Sequence, residues 1–134
     1  MQLTLIIAIA VHVLAGVFWA GSTFVLARSG GVGGEQLFRP QMGAALIAFL
    51  AGAYLWHLQH EGPMSDPEYV LATGAVAAII AAGVQGMGVG PAVRGLRNGT
   101  MTEADARRRI AGAERIATVL LAITVVCMVI ARYV

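Results

Sequence analysis

Lysine is absent from the 134 residues: all nine basic side chains are arginine, against seven acids, for a formal charge of +2. So few and so localised cations make no nucleic-acid-binding stripe. The single cysteine, Cys127, excludes a disulfide framework or a cysteine-pair metal motif within the chain. Its apolar surroundings leave the thiol inert. Charged residues are also scarce, at 12% against 58% apolar. A water-soluble domain of this size cannot bury that much apolar side chain, so lipid must be part of the solvent. No Ser-His-Asp set, glutamate-histidine pair or paired intramembrane carboxylates occur. Gly30, Gly31, Gly33 and Gly34 follow no strand and precede no Lys-Ser/Thr, which excludes a phosphate-binding loop.

What is present is four long apolar runs, at about 3–27, 41–58, 69–93 and 110–131. A hydrocarbon core of ~30 Å takes about 20 helical residues, so each run is long enough to cross. None alternates polar and apolar with period two, and backbone groups in lipid must be satisfied internally. The chain therefore reads as an all-α integral membrane protein, a single bundle of four transmembrane helices. Between the runs lie Gly-rich residues 28–39 and a segment with Gly62-Pro63 and Asp66-Pro67. Pro40 and Pro67 suit helix starts. Thr102 and Asp105 have capping-box-like spacing, placing a further helix start before the fourth run. Met1-Gln2 supplies no positive leader region, so the first run is expected to be a span and not a cleaved signal.

Arginine is unevenly placed. Arg28 and Arg39 flank the first loop, and Arg94, Arg97, Arg107, Arg108, Arg109 and Arg115 surround the third, whereas the second carries Glu61, Asp66 and Glu68 and no base. The positive-inside rule makes the first and third loops cytoplasmic, with both termini outside. The setting expected is a bacterial cytoplasmic (inner) membrane. Tyr54, Trp56, Tyr69 and Tyr133 then share one interface.

His12 is the only histidine well inside a run, where a polar side chain is costly. At helical spacing it shares a face with Gly16, Trp19 and Thr23. A neutral imidazole there can ligate haem iron or copper, with Gly16 admitting a flat porphyrin; it can equally bond a neighbouring helix. His57 and His60, three apart beside Trp56, suit a surface metal site or ordinary interfacial solvation. His57 lies ~9 Å farther out than His12, too far to be its opposite axial ligand, whereas Met128 lies within ~4.5 Å of the same depth. Met128 is thus a candidate second ligand or a packing residue. Gln85 should hydrogen-bond inside the bundle and can serve a ligand. Gly74, Ala78, Ala82, Gly86 and Gly90 repeat every fourth position and predict close helix packing, including Gly86 against a neighbour. Glu114, near Arg39 and Arg94, is expected to form an interfacial ion pair in preference to a proton relay.

The stretch His12-Val-Leu-Ala-Gly-Val-Phe-Trp-Ala-Gly21 resembles the first-helix signature of small membrane proteins related to CopD copper-resistance proteins and HemJ-type protoporphyrinogen oxidases. The matching residues are His12, Trp19 and Gly21, over about ten positions. The resemblance implies a membrane helix bundle and a histidine that ligates haem b in the oxidases, or copper or haem in the CopD group. Those oxidases carry a third-helix lysine that has no counterpart here, so protoporphyrinogen oxidation is not implied.

Three functions follow as expectations. The first is a haem b-binding membrane redox protein, an oxidoreductase in type, with His12 as an axial ligand. The second is a cofactor-free component that assembles with itself or a partner through small-residue faces. The third is copper passage or sensing by His12, His57, His60 and Met128. Its partners are lipids and further copies of the chain, not nucleic acid.

Overall fold

The computed structural model describes all 134 residues and consists of four helices: α1 (Gln2–Arg28), α2 (Gly34–Gln59), α3 (Asp66–Asn98) and α4 (Glu103–Ile130). All four are long and apolar enough to cross a membrane, and there is no strand. The shortest has 26 residues, which at helical rise is about 39 Å, more than a hydrocarbon core requires. Helices α2 and α4 begin about seven residues before the apolar runs that mark them. Hydropathy finds the part of a helix that lies in hydrocarbon, whereas arginine and glutamate continue the same helix into the headgroup region. Pro40 consequently lies inside α2 and not at its start, while Pro67 does occupy the first turn of α3.

Local chemistry sets the ends. The Asp105 amide donates to Thr102 Oγ1 at 3.2 Å, capping α4 where the spacing predicts it. Ser65 precedes α3, and its backbone N–H donates to Glu68 Oε2 at 2.7 Å. Gly99, at φ +70°, closes α3 in the left-handed conformation that favours glycine. Gly31 is required twice over. Its φ is +86°, and a Cβ there would stand 2.6 Å from the Arg107 carbonyl oxygen. The first loop thereby lies directly on the start of α4, where Arg107 Nη1 donates to the Gly31 carbonyl at 3.1 Å and to Glu35 Oε2 at 2.7 Å.

Short loops make successive helices antiparallel. Helices α1 and α2, α3 and α4, and α1 and α4 pack side by side, whereas α2 and α3 touch least of the neighbouring pairs. The core is built largely of alanine: Ala44, Ala45, Ala48, Ala81 and Ala117 pack around Trp19 and Leu121, and Ala92, Ala106 and Ala113 pack with Val89, Val93 and Ile110. Large apolar side chains point outward instead, among them Leu3, Leu14, Val17, Phe24, Leu46, Leu50, Ile79 and Val119. Small residues inside and large ones outside suit helices that approach closely while lipid covers the exterior.

The small-residue stripe of α3 is only partly a packing face. Gly74 is a true close contact, since a Cβ there would meet Cys127 Cβ at 2.9 Å, and Gly90 faces the Phe38 ring at 3.3 Å. At Gly86 no atom stands within 4 Å of where a Cβ would be, so this glycine packs on no neighbouring helix. The buried face of α3 runs through Gly74, Ala77, Ala81, Gln85, Val89 and Ala92. The drift from the predicted stripe follows from helical pitch: a strict four-residue repeat rotates about 40° per step around a 3.6-residue helix.

Candidate functional site

The bundle axis holds a closed polar network. Trp19, Ser22 and Thr23 come from α1, Gln41 from α2, Gln85 from α3 and Glu114 from α4, and all six are buried. Trp19 Nε1 donates to Gln85 Oε1 at 2.8 Å. Gln85 Nε2 spends its two hydrogens on Thr23 Oγ1 at 2.9 Å and Glu114 Oε2 at 2.8 Å. Thr23 Oγ1 in turn donates to the Trp19 carbonyl at 2.7 Å. With the Gln41 amide oriented to satisfy its surroundings, its nitrogen donates to Glu114 Oε1 at 2.9 Å and its oxygen accepts from the Thr23 N–H at 3.2 Å. No buried side-chain nitrogen or oxygen lacks a partner. In a medium without water, such completeness is what makes six polar side chains tolerable.

The network joins helices across the diagonals of the bundle, α1 to α3 and α2 to α4. It also overturns the expected ion pair of Glu114. That carboxyl is fully buried, well inside a helix that begins at Glu103, and its partners are two glutamine amides. Arg39 and Arg94 make no ion pair with it, because arginine extends toward the interface and leaves the interior to neutral donors. Gln41 and Ser22 are the members that sequence patterning misses. The second apolar run begins only at Gln41, whereas a helix starting at Gly34 puts that glutamine two turns inside.

Two turns outward from Trp19 on the same helix, His12 is half-buried at the α1–α2 contact. Its Nδ1 lies 2.8 Å from the Ala48 carbonyl oxygen. A carbonyl only accepts, so Nδ1 carries the hydrogen and donates it. In the neutral ring Nε2 then holds a free lone pair, and no protein group engages it. Gly52, one turn beyond Ala48, makes room for the ring: a Cβ there would lie 3.0 Å from His12 Cε1. Gly16, one turn along α1, has open space where a side chain would project.

The other two histidines lie at the end of α2, apart from His12. His57 is exposed at the end of α2. His60 stacks on Trp56 with ring centres 5.9 Å apart, and its Nδ1 pairs with Glu68. Met128 is 39% exposed near the end of α4. It lies toward the same end of the bundle as His12, on a different helix. Trp19 and Gln85 are brought together, but their hydrogen-bonding groups are engaged within the bundle. No three His, Cys, Asp or Glu side chains converge anywhere in the chain.

No protein-family model, curated protein or solved structure matches the chain.

Proposed function

We propose that the chain is a multi-pass membrane redox protein that holds haem b on His12, in a bacterial cytoplasmic membrane with both termini and the acidic loop outside. The observation that carries this is the His12 tautomer. A ligating histidine characteristically donates its second ring N–H to a backbone carbonyl or carboxylate, which fixes the ring and presents the other nitrogen to the metal. Here the donor is Nδ1, the carbonyl is that of Ala48, and Nε2 is left free. In hydrocarbon an unengaged nitrogen lone pair is unfavourable, so a Lewis acid at that nitrogen removes a cost as well as adding a bond.

Two glycines beside the ring support this reading. Gly52 seats the imidazole, and the open space at Gly16 lies on the histidine's own face. Trp19, Gln85 and the rest of the network bind no ligand directly. They fix α1 against α3 and thereby hold the orientation of the histidine face. Met128, toward the same end of the bundle, is the candidate for the second axial position. The ten-residue likeness to the CopD and HemJ-type first helix favours the same residue. Haem would supply one-electron transfer, its potential set by axial ligation and burial.

The test is the absorption spectrum and metal content of detergent-purified protein. A Soret band with α and β bands that sharpen on reduction supports the proposal. Copper without haem would assign the same nitrogen to the other metal it suits. A colourless, metal-free preparation from haem-replete cells would overturn it in favour of a cofactor-free assembly component, in which the His12–Ala48 bond simply joins α1 to α2.

A further inference from the structure

At the arginine-rich end, α2 and α3 part and leave a cleft of about 340 Å³. Its walls carry Arg39 on α2 and Arg94 and Arg97 on α3, and its floor is Phe38, Gly86 and Gly90. All three arginines are exposed, and none makes a hydrogen bond or ion pair within the protein. Their neighbours differ in this respect. Arg107 is bound to Gly31 and Glu35, and Arg109 donates to the Met87 and Gly88 carbonyls. Glu35 is the only acid on the cleft wall, and Arg107 already holds it at 2.7 Å. The cleft therefore presents three uncommitted guanidinium groups at its mouth. Below them the lining is Phe38 and Val93, and at Gly86 nothing stands within 4 Å of where a Cβ would be, so the helix surface there is open.

We propose that this cleft binds an anionic glycerophospholipid, the phosphate lying among Arg39, Arg94 and Arg97 and an acyl chain lying over Gly86 and against the Phe38 ring. Charge complementarity selects the occupant. Arginine presents a planar fork of donors that matches phosphate oxygens, and basic pockets between membrane helices on the cytoplasmic side are suited to acidic headgroups. The apolar surface beside the arginines, Phe38, Val93 and the open helix face at Gly86, selects a lipid over a free anion. Lipid in this seam also supplies contact between the two neighbouring helices that touch least. The inference is independent of any cofactor at His12.

The experiment is native mass spectrometry of the detergent-purified chain titrated with phosphatidylglycerol, phosphatidylcholine or inorganic phosphate. Retention of phosphatidylglycerol should exceed that of phosphatidylcholine by on the order of tenfold or more. The preference should disappear in the triple variant Arg39→Gln, Arg94→Gln, Arg97→Gln and persist in Arg108→Gln, whose side chain lies outside the cleft. Equal retention of the two lipids by the wild-type chain would overturn the proposal without reference to any variant. So would a preference that survives in the triple variant, or saturation by inorganic phosphate that blocks the lipid at equal concentration.

Discussion

Glu114 shows how a single side chain can organise a membrane interior without a counter-ion. Its two oxygens accept from Gln85 and Gln41, so the value of the residue lies in acceptors placed at the bundle axis. Glu114→Leu should destabilise the detergent-solubilised protein by about 2 kcal/mol or more, because amide donors lose their acceptor in a dry site. Glu114→Gln preserves shape and an acceptor, and should cost less than about 1 kcal/mol. Trp19→Phe removes one donor and leaves Gln85 Oε1 unpaired, for about 1–3 kcal/mol. Thermal unfolding followed by circular dichroism orders the three; a Glu114→Leu protein as stable as wild type would show that the network contributes nothing to stability. Trp19, Thr23 and Gln85 are legible in the sequence as polar residues within apolar runs. Their mutual contacts are not, because a helical face constrains direction and leaves open which of three other helices it meets. Charge alone pairs Glu114 with an arginine, whereas reach and hydration send arginine to the interface and leave an amide to meet the carboxyl.

For the helices as elements, hydropathy locates all four and underestimates the lengths of α2, α3 and α4. The interface chemistry that extends them, in Glu35, Arg39 and the residues after Thr102, is polar and therefore silent to an apolar window. The small-residue repeat of α3 carries genuine packing information at Gly74 and Gly90 but assigns Gly86 to a contact it does not make. The difference is measurable. A Cβ at Gly88 would lie 2.6 Å from Ala113 Cβ, and one at Gly74 would lie 2.9 Å from Cys127 Cβ. Gly88→Ala and Gly74→Ala should each force α3 from α4 and cost about 1–3 kcal/mol. Gly86→Ala should be neutral or stabilising by up to about 1 kcal/mol, from helix propensity alone. Melting temperatures of the three variants in one detergent check the order, and a destabilised Gly86→Ala would show that this face is packed.

On the scale of the whole molecule, the unequal ends of the bundle set its expected orientation. The arginine-rich end carries two of the three loops, and the acidic loop lies at the other end with the termini. In a Cys127→Ser background, a cysteine placed at Met64 should react with an impermeant maleimide from outside intact cells, and one placed at Asn98 should react only after the cells are opened. The reverse pattern would invert the protein in the membrane. The function we propose enters this scaffold at one imidazole, whose Nδ1 is committed to Ala48 and whose Nε2 is not. The measurement that tests this most directly is the reduced-minus-oxidised spectrum of His12→Ala beside wild type, with His57→Ala and His60→Ala as controls. Haem should be lost or altered in its ligation only in His12→Ala, while all four proteins insert and retain their helical content. A wild-type haem spectrum in His12→Ala would contradict the assignment of His12 as ligand.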